Sequence, residues 1–229
     1  MRISQAAFLS EQAEQRSQGY WLLSKLFLEV PTTDRLIVLQ AALGTLKEKK
    51  SPLQEAIAGL FAATVHALLE PEAAAVDYTR QLVALAKDGG MPLPFEAHVR
   101  ENRLPGDATE AIQRLMAESG YTDAMAEAAS PDHIGAELRL MALLCNDECQ
   151  AWNNDDIESA VASLRTQNSL LHTHLAKWAP AYCVGLAERC STHYIRAMAR
   201  LTEQALLEDV QVLTELSGEV DAFLTRPPQ

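Results

Sequence analysis

The chain has 229 residues, of which 48% are apolar and 22% are charged, and 19 Lys and Arg against 31 Asp and Glu give a formal net charge of -12. This composition excludes a disordered chain, and the acidic charge argues against a general binder of nucleic acid or anionic lipid. Glycine and proline are few, with 10 of each, and Ala, Leu, Glu and Gln are abundant. We therefore predict an all-α fold, in the form of a single helical bundle.

The sequence predicts neither export nor insertion into a membrane. Residues 1–6 lack a basic region followed by an apolar one, so we expect no export signal. The longest nearly apolar run, 57–69, contains Thr64 and His66 and is shorter than the roughly 20 residues that cross a bilayer. We expect a cytoplasmic protein whose four cysteines are reduced thiols.

Hydrophobic periodicity predicts four helices before residue 90. Apolar residues recur at three- and four-residue steps over 10–29, 34–46, 52–69 and 72–87. Pro31 stops the first helix, and Ser51 with Pro52 forms an N-cap and first-turn proline for the third. Gly89-Gly90 predicts a left-handed stop after the fourth.

The segment that follows has a different composition. Two prolines among apolar residues over 91–96 predict an ordered, extended loop on the surface of the helical core. Pro105-Gly106 predicts a turn before a short helix over 107–119. The connection 89–106 is the place where the chain would divide if it formed two domains. We expect one domain over 1–229, with a frayed tail over 225–229.

A second N-cap and first-turn proline precede the most apolar helix of the chain. Ser130 and Pro131 predict that this helix begins there and runs through Cys145 in the centre of the bundle. Asp132 and His133 would then occupy its second and third positions. An acidic residue is favoured there simply as a partner of the helix dipole, so the pair does not by itself define a site.

Three more helices are predicted in the rest of the chain, which makes roughly eight to ten in total. They span 157–177, 181–189 and 191–223. Pro180 separates the first two, and Asn153-Asn154-Asp155-Asp156 caps the first. His172 and His174 lie two apart on that helix and point to different faces, so we expect one to be packed and the other exposed or capping.

The sequence contains no phosphate-binding loop, HExxH signature, nucleophile elbow or dinucleotide fingerprint. One alternative is a helical metal- or thiol-dependent enzyme. Cys145 and Cys149 share a helix face, and Cys190 with His193 would add two ligands. Packing is the commoner role of free cysteine. The other alternative is a helical interaction protein whose acidity serves only solubility.

Four short segments, in a fixed order, resemble a known family. They are Asp77-Tyr78-Thr79-Arg80-Gln81-Leu82, Pro94-Phe95-Glu96-Ala97, Pro131-Asp132-His133-Ile134-Gly135-Ala136-Glu137-Leu138, and Leu171-His172-Thr173-His174-Leu175 with Trp178 and Pro180. Over about Ala13 to Asp209 the chain resembles the TorD/DmsD/NarJ family of redox-enzyme maturation chaperones. The Pro-Asp-His segment followed by Glu-Leu is the most specific part of this resemblance.

The resemblance implies a TorD-like helical bundle that is a chaperone and not an enzyme. Members of the family bind the N-terminal region of a molybdenum-cofactor oxidoreductase, often a twin-arginine signal peptide. They hold the apoenzyme competent for cofactor insertion and assembly before export. The implied partner is therefore an apo-molybdoenzyme, with no nucleic acid, no membrane insertion and no cofactor of the chaperone's own. Exchange of terminal helices through the 89–106 connection leaves a monomer and a domain-swapped dimer both open.

The resemblance also implies the residues of the client-binding site. Pro131-Asp132-His133 matches the family's helix start with its Asp-His pair implicated in client binding, and Pro94-Phe95-Glu96 matches its Pro-aromatic-Glu loop. The residue after the loop glutamate is usually a small hydroxyl residue in the family and is Ala97 here. An aromatic is common in the family where this chain has Gln81-Leu82-Val83.

The chemistry of a signal peptide suits these residues, because it combines two arginines with an apolar, helix-forming stretch. We predict that Asp132 contacts the basic end and that Glu96 assists it. Phe95 and Leu93 would supply part of the apolar contact. His133 would orient Asp132 or make binding depend on pH near neutrality. The net charge of -12 adds a long-range attraction that salt screens.

Overall fold

The computed structural model describes residues 2–44, 51–84, 91–122 and 128–225, and over these residues the chain is built from helices. The α-helices are α1 (Arg2–Leu28), α2 (Thr33–Gly44), α3 (Pro52–Ala67), α4 (Pro71–Tyr78), α5 (Glu96–Glu101), α6 (Asp107–Glu118), α7 (Ile134–Asn153), α8 (Ile157–Leu170), α9 (Ala176–Arg189) and α10 (His193–Thr225). Two π-helical turns, Thr79–Val83 and Leu171–Leu175, continue α4 and join α8 to α9. The described chain thus has nine separate helical segments, which confirms the predicted all-α bundle of eight to ten helices.

Within the described ranges, no single helix is long and apolar enough to cross a membrane. One pair, Pro52–Ala67 with Pro71–Val83, passes that test by length and composition only, and it is bent by 117°.

Two predicted helix starts are confirmed by their caps. Ser51 is the N-cap of α3, where its hydroxyl accepts a hydrogen bond from the Gln54 N–H at 3.2 Å, and Pro52 follows at the first helical position. Asp156 is the N-cap of α8 and accepts from the Ser159 N–H at 3.1 Å. In both cases a polar side chain satisfies an otherwise unpaired N–H group of the first turn.

The prediction that the fourth helix runs to residue 87 is wrong. The helical segment that begins with α4 ends in the π turn Thr79–Val83, and Ala84 is extended, with φ -81° and ψ 133°. The predicted stop at Gly89-Gly90 lies outside the described residues. Residues 91–95 are non-helical, as predicted, but Glu96, the last residue of the predicted loop, begins a six-residue helix, α5, which was not predicted.

The prediction that Pro180 separates two helices is also wrong, because Pro180 lies inside α9. Proline has no N–H to donate to the carbonyl four residues earlier, which is why it usually ends a helix. Here its neighbours Trp178, Ala179, Tyr182 and Cys183 are all buried. Tertiary packing of that face therefore outweighs the missing hydrogen bond.

The helix α7 lies at the centre of the bundle, and all of its residues from 134 to 142 are buried. It packs along α1 on one side and against α8 on another, while α10 packs against α9 and α3, and α2 lies against α3. One hydrophobic cluster joins side chains from Leu9 in α1 to Phe223 in α10. The single domain over 1–229, with its 89–106 connection, stays a prediction.

The Asp77 segment joins three helices through hydrogen bonds. The Oδ2 atom of Asp77 accepts from the N–H groups of Ser191 and Thr192, at 2.9 and 2.7 Å, just before α10 begins. It also accepts from the Thr192 hydroxyl at 2.8 Å. The next residue, Tyr78, donates its hydroxyl to the carbonyl of Phe27 in α1 at 2.6 Å. This part of the family resemblance therefore has a structural role.

Candidate functional site

The loop before α5 and the residues before α7 pair with each other as a one-residue antiparallel bridge. The bridge pairs Phe95 with His133. The Glu96 N–H donates to the carbonyl of Asp132, and the Ile134 N–H donates to the carbonyl of Pro94, both at 2.9 Å. The two segments that the sequence selected, 36 or more residues apart in the chain, are thus held together at one place.

Because of this pairing the central helix begins later in the chain than predicted, and the predicted start at Pro131 is wrong. The helix α7 begins at Ile134, with His133 as its N-cap in an extended conformation, φ -71° and ψ 136°. The Gly135 N–H donates to His133 Nδ1 at 3.0 Å. A helical Asp132 and His133 would lose the bridge to the loop, so they stay extended, and Ser130 bonds to Asp132 instead of capping the helix.

The Asp132 carboxylate is completely buried and lies at the beginning of α5. Its Oδ2 accepts from the Ala97 N–H at 3.0 Å, and its Oδ1 accepts from the Ser130 hydroxyl. Because the donor on Ala97 is the backbone, the absence of a hydroxyl side chain at that position does not affect this bond. Because the carboxylate is completely buried, a basic group from another molecule would contact it directly only if the residues that cover it moved.

The His133 ring is 8% exposed and packs edge-on against the Phe95 ring, with centroids 5.2 Å apart and planes at 69°. Burial lowers the pKa of His133 to about 4, against the charge of Asp132, which raises it. The ring is therefore neutral near pH 7, and its Nδ1 acts as an acceptor, so the proton lies on Nε2. The titration of His133 falls near pH 4 and not near neutrality.

Glu96 is also completely buried, and it connects α5 to the π turn before α9. One carboxylate oxygen bonds to Arg100, one turn further along α5, and the other lies 2.7 Å from Nδ1 of His174. The Arg100 side chain is 41% exposed and also donates to the carbonyl of Thr173 at 3.4 Å. Arg100 and His174 thus belong to the site, although the sequence reasoning did not select them.

His174 lies in the π turn Leu171–Leu175. The hydrogen bonds of a π turn join residues five apart, which widens the helix locally. The partner of His174 in the sequence, His172, is exposed, while His174 is partly buried. The prediction that one histidine is packed and the other exposed is confirmed. The signal that would have placed His174 in the site is its position in the segment quoted for the family resemblance.

Glu137, one turn into α7, adds a third buried carboxyl group. Trp178 Nε1 donates to its Oε2 at 3.4 Å, and its Oε1 has no hydrogen-bond partner among the described residues. Burial raises the pKa of Glu137 well above its ordinary value, and the charges of Glu96 and Asp132 raise it further. Burial and the two neighbouring carboxyl groups therefore both favour the protonated form of Glu137.

The outer surface of the site is largely apolar. Leu93, Phe95 and Pro131 are partly exposed, whereas Pro94 is buried. The Leu93 N–H donates to His98 Nδ1 at 3.0 Å, which holds the loop against α5. We call the surface formed by Leu93–Glu96 and Pro131–His133 the loop–helix site. It contains all seven residues selected from the sequence.

The thiol and metal alternatives gain no support from the cysteines. All four cysteines are buried free thiols, and Cys145 lies 3.4 Å from Gln167 Oε1. Burial raises the pKa of Cys145 to about 12, and a protonated thiol is a poor nucleophile and ligand. In the described part of the chain, no three His, Cys, Asp or Glu side chains are grouped so as to hold a metal ion.

The fold and the loop–helix site together define a helical bundle in which a Pro-Asp-His segment bridges a Pro-aromatic-Glu loop. A family model described as nitrate reductase delta subunit matches residues 46–184. The chain therefore belongs to this family, which comprises NarJ/TorD-type chaperones of molybdoenzyme maturation. Among curated proteins, none matches the chain.

Proposed function

We propose that this chaperone binds the N-terminal region of a molybdenum-cofactor oxidoreductase, in the form of a twin-arginine signal peptide, in the cytoplasm. It keeps the apoenzyme competent for cofactor insertion until export. The observation that carries the proposal is the loop–helix site, where an apolar surface covers the buried carboxyl groups of Asp132, Glu96 and Glu137. Family membership supports a molybdoenzyme as the partner.

The arrangement of charges supports an arginine ligand. Glu96 bonds to the guanidinium of Arg100 and to the ring of His174, and the Arg100 side chain is 41% exposed. An arginine of the client would exchange with Arg100 on Glu96, because both carry guanidinium groups and the Arg100 side chain is partly exposed. The apolar stretch of the peptide would then lie on Leu93, Phe95 and Pro131.

Asp132 has two roles in this proposal. Its hydrogen bonds to Ser130 and to the Ala97 N–H hold the loop against α7, and its charge attracts the basic end of the peptide. The first role requires an acceptor oxygen and the second requires a negative charge. Replacement by asparagine keeps an oxygen for the Ala97 N–H and removes the charge, so the two roles are separable.

The proposal is tested by calorimetric titration with the N-terminal 30-residue peptides of the molybdoenzymes of the host, at low and moderate salt. The control peptides carry Gln in place of both arginines. We expect micromolar or tighter binding of one peptide, weaker binding at higher salt and a loss on Arg→Gln replacement. If every peptide binds as weakly as its control, the proposed function is wrong.

The role of the Asp132 charge is tested with Asp132→Asn against Asp156→Asn, which removes one negative charge at the exposed cap of α8. We expect at least a tenfold loss of affinity from Asp132→Asn and little change from the control. Thermal unfolding of both variants verifies that they remain folded. If Asp132→Asn and the unmodified chain bind the peptide with equal affinity, the charge of Asp132 does not contribute to the free energy of binding.

A further inference from the structure

Arg100 places a guanidinium group of the chain itself on the buried carboxylate of Glu96. Its Nη1 atom bonds to one oxygen of Glu96 and donates to the carbonyl of Thr173 at 3.4 Å. Glu96 is completely buried, whereas the Arg100 side chain is 41% exposed. The side chain of Arg100 therefore runs from solvent to Glu96, and it shows a route by which a guanidinium group reaches this carboxylate.

The bond between Arg100 and Glu96 is less constrained than that of the arginine in the core. Arg16 bonds to Asp209 through two nitrogens, at 2.7 and 3.0 Å, and its side chain is 8% exposed. Both bonds of Arg100 come from the single nitrogen Nη1. An ion pair with one exposed partner is weak, because water screens the pair and solvates the released guanidinium. Arg100 can thus leave Glu96 at a small cost in free energy.

Among the three buried carboxyl groups of the site, Glu96 is the one that holds a guanidinium group. Asp132 is bonded to two neutral donors, the Ala97 N–H and the Ser130 hydroxyl. Burial raises the pKa of Glu137, which favours its neutral form and makes it a poor partner for a cation. The position of Arg100 therefore indicates both the carboxylate that accepts a cation and the chemical class of that cation.

We infer that Arg100 is a built-in competitor of the client's arginine, which occupies Glu96 in the free chaperone and is displaced when the client binds. This inference rests on the proposed function and adds a means of limiting the affinity, so that the client is released again. The second oxygen of Glu96 lies 2.7 Å from Nδ1 of His174, so the two guanidinium groups compete for the first. The observed affinity is the intrinsic affinity multiplied by the fraction of molecules in which Arg100 is away from Glu96.

The alternative is that Arg100 serves only to hold α5 against the π turn that contains Thr173 and His174. The two roles predict opposite changes in affinity. If Arg100 only holds the site together, its removal loosens the site and weakens binding of the client. If Arg100 competes, its removal opens Glu96 and strengthens binding.

The inference is tested with Arg100→Gln in calorimetric titrations with the N-terminal 30-residue peptides of the host's molybdoenzymes. Glutamine removes the positive charge and retains an N–H donor. We expect the variant to bind the peptide about two- to fivefold more tightly, which is the range that an ion pair with an exposed partner provides. Arg100→Lys retains a competing cation and is expected to bind like the unmodified chain.

The matched control is Arg103→Gln, in the same segment of the chain. Arg103 bonds to Glu101 and Asp107, at 2.9 and 2.7 Å, rather than to Glu96. The control therefore removes one positive charge from the same region and leaves Arg100 on Glu96. We expect its affinity to stay close to that of the unmodified chain. A gain as large as that of Arg100→Gln would assign the effect to net charge and overturn the inference.

Peptides with Gln in place of both arginines show whether the two guanidinium groups compete. Competition requires that Arg100→Gln strengthens binding of the arginine peptide and not of the glutamine peptide, as in a double-mutant cycle. An equal gain for both peptides would show that Arg100 limits binding in another way, and it overturns the inference.

The Nε–H signal of Arg100 in heteronuclear NMR reports its displacement in the unmodified chain, and its loss in Arg100→Lys assigns it. We expect this signal to shift on addition of the peptide, while the signal of Arg103 stays in place. If Arg100→Gln binds no more tightly and the Arg100 signal does not shift, this inference is wrong and the proposed function stands. If the unmodified chain binds no peptide better than its control, the proposed function fails, and this inference fails with it.

Discussion

Gly135 shows how one residue determines the approach of two helices. It is the second residue of α7, and a Cβ there would lie 2.6 Å from Cγ of Leu28 in α1. We expect Gly135→Ala to lower the free energy of unfolding by about 1–3 kcal/mol, because the added methyl group would clash with the Leu28 side chain. Urea unfolding measures this change.

The matched control is Gly218→Ala in α10, where an added Cβ meets no atom within 4 Å. This variant is expected to raise the free energy of unfolding by roughly 0.5–1 kcal/mol, since alanine favours a helix over glycine. Equal effects of the two substitutions would show that the contact with Leu28 is not tight.

His133 makes stability depend on pH. Its pKa is lowered from 6.5 to about 4 in the folded chain, so between these values the unfolded chain binds a proton that the folded chain does not. The contribution of His133 is therefore fully present above pH 6.5 and is lost as the pH falls toward 4, by about 3 kcal/mol at most.

The measurement compares the free energy of unfolding of the unmodified chain and of His133→Asn between pH 4 and pH 7. Asparagine caps a helix well and does not titrate. We expect the difference between the two proteins to shrink as the pH falls. Glu137, whose pKa is raised, contributes the opposite slope in both proteins and cancels in the difference. Parallel curves would contradict the burial of a neutral imidazole.

At the scale of the elements, Asp77 of α4 caps the beginning of α10. Its carboxylate accepts three hydrogen bonds from Ser191 and Thr192 at the beginning of α10. We expect Asp77→Ala to lower the free energy of unfolding by about 2 kcal/mol, because buried donors lose their acceptor. The loss should appear in hydrogen exchange as faster exchange of the first-turn amides of α10.

The control for this prediction is Asp156→Ala, which removes the exposed cap of α8. It is expected to affect exchange in α8 only and to destabilise the chain less. Unchanged exchange at the first turn of α10 in Asp77→Ala would show that another group caps this helix.

The elements also show where sequence patterns suffice. Caps with a local partner were predicted, since Ser51 and Asp156 each bond to an N–H three residues away. The start of α7 was not, because the bridge to the loop, 36 or more residues away, keeps Asp132 and His133 extended. The predicted break at Pro180 failed for a similar reason, since whether a proline ends a helix depends on the burial of the residues around it, as in α9.

At the scale of the whole molecule, a buried ionic cluster joins α1, α7, α8 and α10. Arg16 bonds through two nitrogens to Asp209, at 2.7 and 3.0 Å, and through a third to Gln167. Tyr20 donates to Asp209 at 2.6 Å, and Glu148 accepts from Gln167 at 2.8 Å. Each charge in this cluster depends on partners from other helices.

We expect Arg16→Met to lower the free energy of unfolding by about 3–5 kcal/mol, because it leaves the charge of Asp209 buried without its partner. The double variant Arg16→Met/Asp209→Asn removes both charges and keeps an acceptor for Tyr20. It is expected to recover a large part of the loss in denaturant unfolding. A double variant as unstable as Arg16→Met would show that the guanidinium contributes mainly by packing.

The sequence alone determined the class of fold, because hydrophobic periodicity and local caps act over a few residues. By resemblance it also indicated the family, and it predicted a client-binding site at Leu93–Glu96 and Pro131–His133. The tertiary structure alone decided what surrounds these residues. It buried the Asp132 carboxylate and brought His174 and Arg100 to Glu96. Burial and contact between residues distant in the chain arise from packing, and no local pattern encodes them.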